Sequence, residues 1–334
     1  MEGPRTPIAR GRFGSWLVDR LHEPAHDLGQ APPLEAVDPL CDEDFQLSLY
    51  VLYELHYRGF EGVDERWEWQ PSLLALRARL EERFENAMRD AIGPDEPAPD
   101  DVPARLVELL AQAGGPPLGR YLETQATLDE FREFVVHRSA YQLKEADPHS
   151  WAIPRLSGGP KVALVEIQAD EYGGGRPERQ HARLYANTME ALGLDSTYGA
   201  YLDEIPATTL ATVNLMSLFG LHRRLRGAIV GHLAVLEMDS TQPNRRYGNA
   251  LRRLGFDDDA TDFYDEHVEA DAVHEALAAH DLAGALAADE PSLAADIVFG
   301  ARAMILLDEA AGRRMYDAWA GGESSLLAPV GAAA

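Results

Sequence analysis

His267-Val268-Glu269-Ala270-Asp271-Ala272-Val273-His274 places two imidazoles and a carboxylate at offsets of four and seven residues. On an α-helix those offsets bring the three side chains onto one face over two turns. Two histidines and an aspartate on one stripe are donors suited to iron, manganese or zinc. Phe263, Val268, Val273 and Leu277 give the same helix apolar surface to bury. A solvated face on a charged helix would satisfy so short a pattern equally well. The surroundings therefore have to decide between the two.

Helical periodicity continues outward from this stretch. Residues 257–286 and 291–320 carry it at the C-terminal end. Upstream, 206–238 is the longest apolar-periodic run, through Leu210, Val213, Met216, Leu218, Leu221, Leu225, Ile229, Leu233 and Leu236. Gly220, Gly227 and Gly231 within it predict kinks or close helix contacts. Further helices are expected over Asp42–Tyr57, Pro71–Arg89, Ala104–Ala113, Thr127–Tyr141 and Lys161–Tyr172. A short one is expected near Ser15–Leu21, inside an irregular arm over 1–38. Gly93 to Pro103 is a Pro/Asp-rich break, and 154–160 is a Gly/Pro loop. Alternating β-branched runs and Asn-Gly turns are nearly absent, so the expected fold class is all-α.

Composition narrows the function classes. The 334 residues are 46% hydrophobic, enough for a large core. The formal charge of −26 argues against nucleic acid and against an anionic membrane surface, both of which need clustered Lys and Arg. Only Lys144 and Lys161 are lysines. The single cysteine, Cys41, excludes an intrachain disulfide and a cysteine-based metal site. No apolar run reaches the length of a membrane span, and Met1 to Arg20 has no signal-peptide core, so a cytoplasmic protein is expected.

Three more segments carry donors. Glu166-Ile-Gln-Ala-Asp-Glu171-Tyr-Gly-Gly-Gly-Arg-Pro-Glu178-Arg-Gln-His181 sets carboxylates and a histidine on either side of a glycine run. Glycines there would break an ordinary helix and re-aim the flanking side chains. A plain helix–loop–helix with charged ends is the alternative. Either Glu171 or Glu178 can partner His181, the latter at three residues' spacing. Glu237 ends a very apolar helix, where a carboxylate should be paired, capped or metal-bound. His232 on that helix is better read as a core histidine. Glu145, in Tyr141-Gln-Leu-Lys-Glu145-Ala-Asp-Pro, sits near a helix end, where a surface ion pair is the ordinary role.

In that order, Glu171, His181, Glu237, then His267, Asp271 and His274, the chain resembles the haem-oxygenase-like diiron oxidases and oxygenases. The resemblance covers roughly residues 120–320. It implies a haem-oxygenase-like helical bundle over 119–334, with 1–118 as an N-terminal arm and helical extension. It implies those six residues as metal ligands for about two irons per chain, with O₂ as co-substrate. Glu145 stands where members that oxidise nitrogen carry an extra upstream carboxylate, which adds it to the candidate ligands. N-oxygenation of a small amine or amino-acid-like substrate, in biosynthesis, is then the favoured reaction. C–H desaturation or oxidative C–C cleavage of an amino or fatty acid is the alternative.

Other readings predict different things. A ferritin-like dimetal bundle would carry Glu-x-x-His on two helices, and only Glu178/His181 fits. Iron storage would need a large cage. A helical interaction protein would bind no metal. Haem binding would need an axial histidine, for which His137 and His149 are the loose candidates. Arg176, Arg179, Arg223, Arg224, Arg245 and Arg246 could grip a substrate carboxylate but suit surface ion pairs better. Tyr141 and Tyr172 adjoin candidate ligands and suit core packing. Apolar faces on the N-terminal helices suggest a homodimer; an electron donor is implied but not identified.

Overall fold

The computed structural model describes residues 3–34, 38–94 and 98–328, apart from the side chains of 270–273. The regular elements among the described residues are all helices, with no strand among them. In chain order the helices are α1 (Arg12–Leu21), α2 (Glu43–Glu54), α3 (Pro71–Ile92), α4 (Val102–Gln112) and α5 (Leu118–Thr124). Then come α6 (Leu128–Gln142), α7 (Asp147–Ser150), α8 (Gly158–Glu171), α9 (His181–Ala191) and α10 (Ala207–Leu221). The last are α11 (Arg226–Met238), α12 (Thr241–Leu254), α13 (Asp258–Ala276), α14 (Ala285–Asp289) and α15 (Ala294–Ala320).

Local chemistry sets many of the ends. Thr127 and Glu130 form a capping box at the start of α6. Asp42 caps α2 through the Phe45 amide, and Pro71 occupies the first turn of α3. The apolar run over 206–238 is two helices rather than one. At His222 the backbone is extended (φ −105°, ψ 113°), and Arg155 donates to the exposed Leu221 carbonyl at 2.8 Å. A 3₁₀ turn, Arg223–Leu225, then buries Leu225 and restarts the chain as α11.

α12 (Thr-Gln-Pro-Asn-Arg-Arg-Tyr-Gly-Asn-Ala-Leu-Arg-Arg-Leu) turns a narrow apolar stripe of Tyr247, Ala250, Leu251 and Leu254 to the core. Tertiary hydrogen bonds hold it as well. Arg253 donates to the carbonyls of Leu122, Glu123 and Ala126, tying α12 to the end of α5. The left-handed Gly255 (φ 92°) closes its C-terminus. Beyond α13 the helix loosens into a π-helical segment, Leu277–Gly284, before α14.

The central packing is α11 against α15. A Cβ on Gly231 would lie 1.9 Å from the Ile297 carbonyl oxygen, and one on Gly300 would lie 2.0 Å from that of Ala228. The two backbones touch because both positions are glycine. α10 packs on α15 and α2, α13 on α9, α11 and α12, and the π-helical segment on α8 and α11. The contiguous buried core runs from Phe13 and Leu17 through Phe219 and Ile229 to Trp319. None of the described helices is long and apolar enough to cross a membrane.

Candidate metal centre

Four elements converge on one buried point. α8 ends at Glu171, and Gly173, Gly174 and Gly175 all take positive φ (80°, 58° and 83°). At Gly173 a Cβ would lie 2.4 Å from the Arg176 carbonyl oxygen, so the turn requires glycine. The chain reverses through it and enters α9 at His181, whose Nδ1 lies 2.8 Å from Glu171 Oε2. Glu178 sits in the exposed 3₁₀ turn between them. Of the two carboxylates the spacing left open, Glu171 is the one brought to His181.

α13 contributes His267 and His274. His267 Nε2 is 3.5 Å from Glu145 Oε1, and its ring centroid is 4.4 Å from that of His181. His274 Nδ1 is 3.5 Å from Glu237 Oε2, at the end of α11. Asp271 lies on the same helix, but its side chain falls outside the described residues. Glu145 is buried rather than a surface residue, and its Oε2 is 4.0 Å from His181 Nδ1.

Two overlapping donor groups result. Glu145, Glu171, His181 and His267 form one; Glu171, Glu237 and His274 form the other. Within each, donor atoms lie within 4.8 Å of one another, and every member is buried. Glu171 belongs to both. The outer faces of two imidazoles are already engaged. His267 Nδ1 is 2.8 Å from the Phe263 carbonyl oxygen, which leaves Nε2 toward the pocket. His274 Nε2 is 3.0 Å from Asp170 Oδ2, which leaves Nδ1. Such outer contacts orient metal-binding histidines. Neither Asp170 nor the Phe263 carbonyl stood out in the sequence; a carboxylate one position before a candidate ligand was the available signal for the first.

The electrostatics call for a cation. Imidazoles face all three glutamates: His181 and His267 face Glu145, His181 faces Glu171, and His274 faces Glu237. Burial pushes the carboxyls of Glu145 and Glu237 above their ordinary range despite the facing histidines. Tyr141 is pushed well up, first by burial and then by the three glutamates. For His274 burial opposes the charge, but hydrogen bonds to Glu237 and Asp170 overcome it, and its pKa rises to about 9. Among the described residues, Glu145 Oε2 is buried with no hydrogen-bond partner. Carboxylates and imidazoles packed this way fit iron.

The pocket opens onto a cavity of about 160 Å³. Tyr141, Tyr185, Leu233, Leu236 and Phe263 line it beside the donors. His232, read from sequence as a core histidine, is buried yet also lines it, with Nδ1 3.2 Å from His149 Nε2. His137 lies between Thr209 (2.7 Å) and Ser325 (2.9 Å). Tyr141 faces the cavity, whereas Tyr172 hydrogen-bonds Asp147 and Ser150. None of the six arginines considered from sequence lines the cavity; Arg179 pairs with Asp262 and Glu266, and Arg224 with Glu85. Arg138 does line it, paired with Asp308 at 3.3 Å.

The model of a family described as iron-containing redox enzymes matches residues 132–309, more than half of the chain. A nitrosourea synthase from Streptomyces achromogenes subsp. streptozoticus is 26% identical over 147 residues, 44% of this chain and 31% of that enzyme. The chain thus matches under a third of that relative's length. A CADD-like protein of unknown function from Nostoc punctiforme PCC 73102 shares the fold, with a TM-score of 0.52 at 18% identity. That match covers 65% of this chain and 96% of the other.

Proposed function

We propose, on the premise that the chain belongs to the haem-oxygenase-like family of iron-containing redox enzymes, that it holds two irons and uses O₂ to oxidise a small amine or amino-acid-like substrate at nitrogen. One observation carries the two-iron part: the donor groups are two, buried, and share Glu171. Glu145, Glu171, His181 and His267 would hold one iron; Glu171, Glu237 and His274 the other, with Asp271 added by its place on α13. When bound, reduced iron supplies the electrons that activate O₂.

The chain's own residues do the rest. Phe263 and Asp170 hold the imidazoles of His267 and His274 in their orientations, so the donors are preorganised. Leu233, Leu236, Tyr141 and Phe263 keep bulk water from the donor end of the cavity. A shared Glu171 balances charge on both sides. Nitrogen as the oxidised atom is supported by the burial of Glu145 in the pocket and by the likeness to a nitrosourea synthase, whose name denotes a nitroso product.

The test is anaerobic Fe(II) titration, then exposure to O₂ with a panel of amines and amino acids, read by mass spectrometry. Uptake of about two irons per chain and an oxygen gained at a substrate nitrogen are expected. An alkene or a chain-shortened product would move the reaction to carbon. Failure to bind iron would end the proposal.

A further inference from the structure

Glu145 reaches the donor pocket from a segment that no regular helix supports. α6 ends at Gln142. Lys144 N and Glu145 N then donate three residues back, to the carbonyls of Tyr141 (2.8 Å) and Gln142 (3.3 Å). Turns this tight carry about three residues each, so consecutive side chains point well apart. Ala146 follows with φ 75°, fully buried. A non-glycine residue in that conformation is strained and persists only where its surroundings hold it.

Two contacts do so. On one side, Gln168 of α8 donates its Nε2 to the Ala146 carbonyl at 2.7 Å. On the other, Lys144 is buried and donates its Nζ to Glu54 Oε2 of α2 at 3.0 Å. Tyr198 donates its hydroxyl to the same oxygen at 2.7 Å. The ammonium also lies 4.2 Å from the Tyr57 ring centroid and 4.9 Å from that of Tyr50. Lys144 is thus held toward α2 while its neighbour Glu145 faces the donors. A buried ammonium deprived of its carboxylate has to move toward water, and the turn that carries Glu145 moves with it.

We propose that Glu54 is a positioning residue for the metal centre: through Lys144 it aims Glu145 at the iron bound with Glu171, His181 and His267. The proposal rests on the two-iron reading above. It makes α2, part of the expected N-terminal extension, a working piece of the site.

The test is anaerobic Fe(II) titration of Glu54→Gln and Lys144→Met beside the wild type, with circular dichroism to check the fold. The step that uses Glu145 weakens by about tenfold to a hundredfold; the step at Glu171, Glu237 and His274 keeps its affinity. Wild-type affinities in both variants overturn the proposal. So does equal weakening of both steps, which is what a merely structural role would produce. If Glu54→Gln does not fold, Tyr198→Phe removes one hydrogen bond from Glu54 and leaves the ion pair. A weakening of about threefold, confined to the same step, is then expected, and no change overturns the role. A wild type that binds no iron overturns the two-iron reading itself, and the positioning role with it.

Discussion

Two sets of buried glutamates in this chain shift in opposite directions. On α3, burial works against ionised Glu81, but His222 at 3.0 Å and Arg77 at 3.1 Å outweigh it and bring its pKa down. Glu85 behaves alike, between Arg224 and Arg89. In the donor pocket burial wins, and Glu145 and Glu237 go up. Glu145 and Glu237 lie deeper than Glu81 and Glu85, so burial weighs more on them, and their partners differ as well. The α3 carboxylates have guanidinium partners supplied by the chain, and the pocket carboxylates face imidazoles and one another. The first set is balanced by the protein alone. In the second, burial still disfavours the ionised form, which a bound cation would restore.

The comparison breaks most directly at Glu171, the residue common to both donor groups. Glu171→Ala is expected to take iron from about two per chain to near none and to abolish turnover, measured by metal analysis after anaerobic loading. A variant that keeps both irons would remove the shared carboxylate from the scheme.

Stability of the metal-free protein sharpens the contrast. Glu81→Gln strips a buried partner from Arg77 and should cost about 3 kcal/mol, seen in denaturant melts. Glu145→Gln removes a carboxylate whose raised pKa already disfavours the folded state near neutral pH, so apo stability should stay within about 1 kcal/mol of wild type or rise. Equal losses in the two would erase the distinction.

Acid provides a smaller effect. Burial lowers the pKa of His149 to about 3. Unfolded imidazole titrates near ~6.5, so below that pH the unfolded chain binds the proton first. The stability tied to a neutral His149 is therefore present above ~6.5 and lost as pH falls toward 3. His149→Asn should flatten the acid side of the stability curve by up to about 1.4 kcal/mol per pH unit. An unchanged slope would mean that His149 is protonated at no cost in the fold.

The smallest effect belongs to Glu178, exposed in its 3₁₀ turn. Glu178→Ala should change neither iron content nor stability measurably. Loss of an iron would return it to rivalry with Glu171.

Much of the helical scaffold was legible because its signals are local. Apolar spacing located α3, α10 and α15, and a Thr/Asp cap at Thr127 marked the start of α6. α12 was passed over, because Pro243, Gly248 and four arginines obscure a narrow stripe of Tyr247, Ala250, Leu251 and Leu254. The break at His222 was signalled only by the kink or close contact expected at Gly220, since apolar residues run on both sides of it. In the pocket, the types and order of the donors were visible. The burial of Glu145 was not: its neighbours in sequence are polar, and it is buried by residues far along the chain.

By itself the sequence determined an all-helical chain and a set of histidines and carboxylates in a telling order, because helix periodicity and residue chemistry are properties of short segments. The tertiary structure decided which carboxylates meet. It chose Glu171 over Glu178 through three left-handed glycines, drew Glu145 inward past a strained Ala146, and gathered the described donors into two groups that share Glu171. The glycine turn acts within ten residues, but the meeting of Glu145, Glu237 and the α13 histidines depends on contacts between segments far apart in the chain, and charge balance in a buried pocket is set only when such segments pack.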